Sequence, residues 1–152
     1  MIKRGFKPPA LLNSDVVVME NGAAKLDHNG AHVWLLGIDD PSLKMDRLDV
    51  ALEEAGDDAP FILLAHSPAI YPAAINESID LVLAGHTHGG QIRIPLIGAV
   101  YVPGQGFFPK YDYGMYSSGQ TTMVINAGLG ESVIPNRFNM RPEIVLITLV
   151  SR

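Results

Sequence analysis

The apolar run Leu81-Val82-Leu83-Ala84 breaks off into Gly85-His86-Thr87-His88-Gly89-Gly90-Gln91, and this break constrains the fold more than any other stretch. An apolar run of this length bounded by glycine reads as a strand buried on both faces, in the middle of a covered sheet. Ligands of α/β sheets sit beyond the carboxyl ends of such strands. His86 and His88 fall there. Residues two apart on extended backbone point to one side of it, so both imidazoles are expected to share one space. The flanking glycines leave room beside them. The pattern recurs upstream, where Phe61-Ile62-Leu63-Leu64-Ala65 runs into His66-Ser67-Pro68. A lone loop histidine is usually a surface residue. His66, His86 and His88 at the ends of two apolar strands are instead a candidate metal site, because neutral imidazole binds zinc, iron, nickel and copper well.

The remaining pattern predicts a single α/β domain over residues 1–152, a layered β-sandwich with flanking helices. Residues 1–13, with Pro8-Pro9, read as an irregular lead-in. Strands are expected at 16–19, 31–38, 61–65, 79–84, 121–126 and 143–150, the first two pairing like a hairpin. Asn21-Gly22 and His28-Asn29-Gly30 read as turns. A helix is expected over 46–55, with Asp46 as its N-cap and Gly56 as its stop, and a short one from Ser67-Pro68. Asp39-Asp40-Pro41 is read as a turn rather than as metal ligands, since aspartate before proline commonly starts turns. Residues 89–120 form a long loop region rich in glycine and proline, carrying Tyr101, Phe107, Phe108, Tyr111, Tyr113 and Tyr116. Those rings either pin the loop to the sheet or form an apolar wall beside the histidines.

Leu63-Leu64-Ala65-His66-Ser67-Pro68, followed by Asp80-Leu81-Val82-Leu83-Ala84-Gly85-His86-Thr87-His88-Gly89-Gly90-Gln91, resembles the C-terminal half of a calcineurin-like metallophosphoesterase. The tail, with Gly128-Leu129-Gly130, Pro135, Arg137-Phe138 and Arg141-Pro142-Glu143-Ile144, resembles a bacterial phosphodiesterase branch whose members are often exported or membrane-anchored. This resemblance implies an αββα fold, of which the chain supplies one part, and hydrolysis of a small phosphate ester by metal-activated water. It implies divalent metal ions (manganese, zinc, iron or nickel), two in the complete site. His66 and His86 would bind one ion and His88 the other, as catalytic metal ligands. The family's earlier motifs, Asp-x-His, Gly-Asp-x-x-Asp and Gly-Asn-His-Asp or Gly-Asn-His-Glu, do not occur in this sequence. Three readings follow: a phosphoesterase whose remaining ligands come from elsewhere, a mononuclear three-histidine hydrolase of activated esters, or an inactive metal-binding or interaction fragment.

Composition narrows the partners. A formal charge of −5 with no basic stripe excludes nonspecific nucleic-acid binding. The chain has no cysteine, so any metal must be held by histidine, carboxylate, carbonyl or water. Residues 1–9 carry positive charge but no apolar core behind it, so neither a signal peptide nor a membrane span is read, and a cytoplasmic location is expected. A sheet cut from a larger sandwich leaves an apolar face and strand edges uncovered, which predicts a homo-oligomer, most simply a two-fold dimer.

Overall fold

The computed structural model describes residues 16–132 and 136–150, so the lead-in expected over residues 1–13 and the tail residue Pro135 lie outside the described residues. The chain begins its sheet with a hairpin of β1 (Gly22–His28) and β2 (Ala31–Gly37). Asn29 and Gly30 join them with φ of 50° and 81°. Positive φ at both central positions marks a two-residue turn matched to strand twist. That turn leaves no choice of partner, and β2 pairs with the seven residues just before it, from Gly22↔Gly37 to His28↔Ala31. The strand expected at 16–19 is therefore displaced, and those residues are irregular.

Next come α1 (Leu48–Glu54), β3 (Phe61–Ala65), α2 (Tyr71–Asn76) and β4 (Leu81–Ala84). Two short hairpins follow, β5 (Arg93–Ile94) with β6 (Gly98–Ala99), and β7 (Tyr101–Val102) with β8 (Gly106–Phe107). The chain then adds β9 (Gly114–Ser118) and β10 (Thr121–Ile125). Six strands form one mixed sheet in the order β1-β2-β3-β4-β10-β9. Its four central strands are parallel, and an antiparallel strand closes each edge. The α/β expectation holds.

Register explains the core. Leu36, Leu63, Val82 and Met123 are paired neighbours in one row across the sheet, and each is 0% exposed. Leu48 and Ala51 of α1, with Tyr71 and Ala74 of α2, cover that row. The Tyr71 hydroxyl donates to the carbonyls of Tyr116 and Thr121 at 3.2 and 3.1 Å, so its polar end is satisfied inside. The opposite face, with Leu64, Leu83 and Val124, is only half-buried.

α1 begins later than expected, at Leu48, and Asp46 does not cap it. Asn21 is the reason. Its Oδ1 accepts from the amides of Asp39 and Arg47, and its Nδ2 donates to the Met45 carbonyl and the Asp39 carboxylate. These bonds hold Arg47 at φ −130° and ψ 71°, outside the helical region. Asp40 caps the Ser42 amide at 2.9 Å, so Asp39-Asp40 is a turn, as read. Ser67 starts a short 3-10 turn, its hydroxyl accepting from the Ala69 amide.

The strand expected at 143–150 is not formed. Its two-residue alternation survives, because Val145 and Ile147 are each 37% exposed against the half-buried sheet face while Leu146 is 91% exposed. Strand patterning without a neighbouring strand gives no ladder. Among the described residues no helix is long and apolar enough to cross a membrane.

The hairpin edge carries a titratable group with a clear signature. Asp58 accepts from the Trp34 indole at 2.9 Å and contacts His32 Nε2 at 3.0 Å. The Trp34 bond first, then His32, hold its carboxyl down at about 2. A depressed carboxylate contributes its stabilisation above the unfolded-state pKa and loses it as pH falls through about 2. Trp34 is the chain's single tryptophan, so its fluorescence should report a transition near that pH. Acid titration of Asp58→Asn should lack it. A transition of unchanged position in Asp58→Asn would detach it from this carboxylate.

Candidate metal centre

Parallel pairing of β3 and β4 ends at Ala65↔Ala84, which sets His66 and Gly85 side by side at the carboxyl tips. The ladder runs one step further, with the Gly85 amide donating to the His66 carbonyl at 3.3 Å. His66 and His86 then meet, ring centroids 4.6 Å apart and tilted by 60°. The His86 Nε2 lies 3.2 Å from the Pro103 carbonyl, in the turn between β7 and β8. A carbonyl only accepts, so Nε2 is the donor, and in a neutral ring Nδ1 is then the nitrogen with a lone pair to offer a ligand.

Beyond Gly85 the backbone does not stay extended, which corrects the expectation that His86 and His88 point to one side. φ is positive at His86 (68°), His88 (51°), Gly89 (66°) and Gly90 (80°). Thr87 is buried, and its hydroxyl accepts from the Gly89 amide at 3.2 Å while its carbonyl accepts from Gly90 at 2.7 Å. This is a tight turn seated on the molecule by its glycines. A Cβ at Gly90 would sit 2.1 Å from Ala99 Cβ, and one at Gly89 would sit 2.6 Å from Met140 Sδ. At Gly90 only glycine fits, whereas at Gly89 the flexible Met140 tip can shift and the left-handed φ of 66° is what favours glycine.

The structure thus unites His66 and His86, and it does not group His88 with them. Among the described residues no three histidine, aspartate or glutamate side chains stand close enough to hold an ion. Imidazole is the right donor for a divalent first-row metal, but the donors brought together here are part of a ligand set. Asp80, inside the motif, is structural: its carboxylate accepts from the Phe61 amide at 2.8 Å, at the far end of the strands.

A groove of 360 Å³ opens beside the pair, lined by His66, Gly85, Asn126, Leu83, Val124 and Ile147 among others. The sequence reading gave Asn126 no role. Its position was recoverable, since it follows β10, which runs parallel to β4, and so arrives at the same edge as the histidines. The loop aromatics do not form a wall in this groove. Tyr111 packs edge-on against Tyr71 and Tyr116 at 5.3 and 5.2 Å, so these two loop rings pin the loop to the core. Tyr101 and Phe107 stack on each other across the β7–β8 hairpin.

A second polar cluster lies behind the histidine turn. Asp112 accepts from Arg93 at 2.7 Å, from the Ala99 amide and from the Tyr116 hydroxyl. Burial pushes the Asp112 carboxyl up, but these donors together hold it below its ordinary value. Nothing in the residue pattern announced this cluster, because its members are spread from Arg93 to Tyr116.

Known proteins are similar to this chain. The chain is 36% identical over 135 residues to the uncharacterised metallophosphoesterase YkuE of Bacillus subtilis, covering 88% of this chain and 46% of that protein. It is 37% identical over 91 residues to the phosphodiesterase YaeI of Escherichia coli, covering 60% and 33%. It is 34% identical over 156 aligned positions to a transmembrane protein with metallophosphoesterase domain of Bos taurus, covering 91% and 34%. No family model matches the chain. No solved structure matches it. The chain spans about half the length, or less, of these curated relatives. With the histidines at the tips of adjacent parallel strands and this identity across the motif-bearing region, the chain belongs to the calcineurin-like metallophosphoesterase family.

Proposed function

We propose that this chain carries the histidine-bearing part of a metal-dependent phosphoesterase centre that hydrolyses a phosphodiester or phosphomonoester. The observation that carries the reading is the meeting of His66 and His86, ring centroids 4.6 Å apart, just beyond the carboxyl ends of adjacent parallel strands, with His66 on a groove. When bound, a pair of divalent ions would supply an activated water and positive charge against the phosphoryl oxygens. His66 and His86 would contribute to one ion, His86 through Nδ1, and His88 to the other. Zinc, iron and nickel suit these imidazole donors, and manganese would draw more on the carboxylate and amide ligands. The carboxylate and amide ligands would come from outside the described residues.

A second reading, an inactive interaction fragment, draws support from the lack of any three-ligand group among the described residues. The mononuclear three-histidine hydrolase has no comparable support. Reconstitution with manganese or zinc, followed by metal analysis and assay on an activated phosphodiester, separates the readings. Saturable metal with metal-dependent cleavage is expected. No retained metal and no cleavage would leave the fragment reading standing and remove the phosphoesterase.

A further inference from the structure

Two guanidinium groups grip consecutive carbonyls of the histidine turn. Arg137 donates to the His88 carbonyl at 3.3 Å, and Arg93 donates to the Gly89 carbonyl at 2.9 Å. Each is anchored on a different part of the fold. The Arg137 group also donates to the carbonyls of Ala127 at 2.9 Å, Gly128 at 3.3 Å and Gly130, all in the turn after β10. Arg93 is held by Asp112 at 2.7 Å and lies over the Tyr113 ring at 5.4 Å.

The two anchors are themselves joined. The Tyr113 hydroxyl donates to Glu143 at 2.7 Å, and the other Glu143 oxygen accepts from the Ala127 amide at 3.0 Å. Main-chain bonds reinforce the Arg137 side: the Phe138 amide donates to the Gln91 carbonyl at 2.7 Å, and the Arg93 amide to the Phe138 carbonyl at 3.0 Å. The network thus forms a ring around residues 88–93.

The turn so held is one that a free chain would leave. Left-handed φ at His88 is unfavourable for a residue with a Cβ and persists where its surroundings over-determine it. A cation beside each carbonyl supplies that determination, because charge-assisted hydrogen bonds are directional and stronger than neutral ones. Arg137 is paired with no carboxylate among the described residues, and its Nε is buried without a partner. Arg137 is half-buried, and a guanidinium without a counter-ion whose hydrogen bonds all go to carbonyls is held for those donors.

We infer that Arg137, with Arg93, is a positioning residue that fixes the His88–Gly89 backbone and thereby presents His88 as a ligand. The role as a ligand rests on the phosphoesterase reading; the backbone clamp does not. Lysine keeps the charge but has no planar fork to span carbonyls on two loops, so Arg137→Lys is the informative variant, with Arg137→Ala beside it.

The test uses the full chain and two readouts, amide hydrogen exchange and titration with manganese alone. In Arg137→Lys, exchange at Gly89 and Gly90 should rise about tenfold while Leu63 and Val82 keep parental protection, as local opening predicts. Manganese affinity should fall about 10- to 100-fold, the usual effect of losing an outer-shell partner of a metal ligand. Unchanged exchange at Gly89 and Gly90 would overturn the clamp. Raised exchange with parental manganese affinity would overturn its role in presenting His88. If parent and variants alike bind no manganese, the phosphoesterase reading falls, and raised exchange still supports the clamp.

Discussion

His86→Ala is expected to weaken manganese or zinc binding more than about a hundredfold, beyond the loss typical of an outer-shell partner. Its effect on stability should be small. The side chain is half-buried, touches the His66 ring and makes one hydrogen bond, to the Pro103 carbonyl. Losing such a bond costs about 0.5–1.5 kcal/mol. Because His86 holds a φ of 68°, His86→Asn is the better companion variant, asparagine being at ease in that region. His28→Ala, at an exposed histidine on β1, should bind metal as the parent does. Calorimetric titration of the three variants is decisive. Parental affinity in both His86 variants would move the metal away from this strand end.

The apolar runs carried most of the fold. Phe61-Ile62-Leu63-Leu64-Ala65 and Leu81-Val82-Leu83-Ala84 were legible as strands because each is an unbroken apolar run bounded by turn residues, although one face is closed here and the other only half-buried, against the two-sided burial expected. The first strand was misplaced for the converse reason. Gly22–His28 has weak strand propensity and is chosen by its Asn29-Gly30 turn, whereas Val16-Val17-Val18-Met19 has the propensity and no partner. Propensity is a local quantity and pairing is not. The segment 143–150 errs in the same direction, apolar and alternating with no ladder to join.

The site divides along the same line. That His66 and His86 would meet followed from two similar runs ending in histidine, because parallel register brings like ends together. The geometry of His88 did not follow, since φ turns positive at four of the five residues 86–90, and tertiary contacts hold it there. Gly90 against Ala99 and the Arg137 bond to the His88 carbonyl involve residues 9 and 49 positions away. No window along the sequence contains them.

Leu63→Ala should destabilise the chain by about 2–5 kcal/mol, the range for emptying a closed core site. Leu63 is fully buried between Leu36 and Val82, with Tyr71 and the two helices above, so the vacated space has little means of collapse. Against a total stability of about 5–15 kcal/mol for a domain, that shift should be plain in urea unfolding. Leu83→Ala sits on the other face, where the side chain lines an open groove, and with that face left open it would cost nearer 1 kcal/mol. The contrast also probes assembly. We propose that the half-buried face and the outward Ile144 and Leu146 are covered by a second copy of the chain in solution. In that case Leu83→Ala loses a closed site too, its cost approaches that of Leu63→Ala, and the unfolding midpoint of the parent rises with chain concentration. A Leu83→Ala cost near 1 kcal/mol, a concentration-independent midpoint and a monodisperse monomer in light scattering would together leave the face open. The uncovered sheet face would then be a property of the isolated chain.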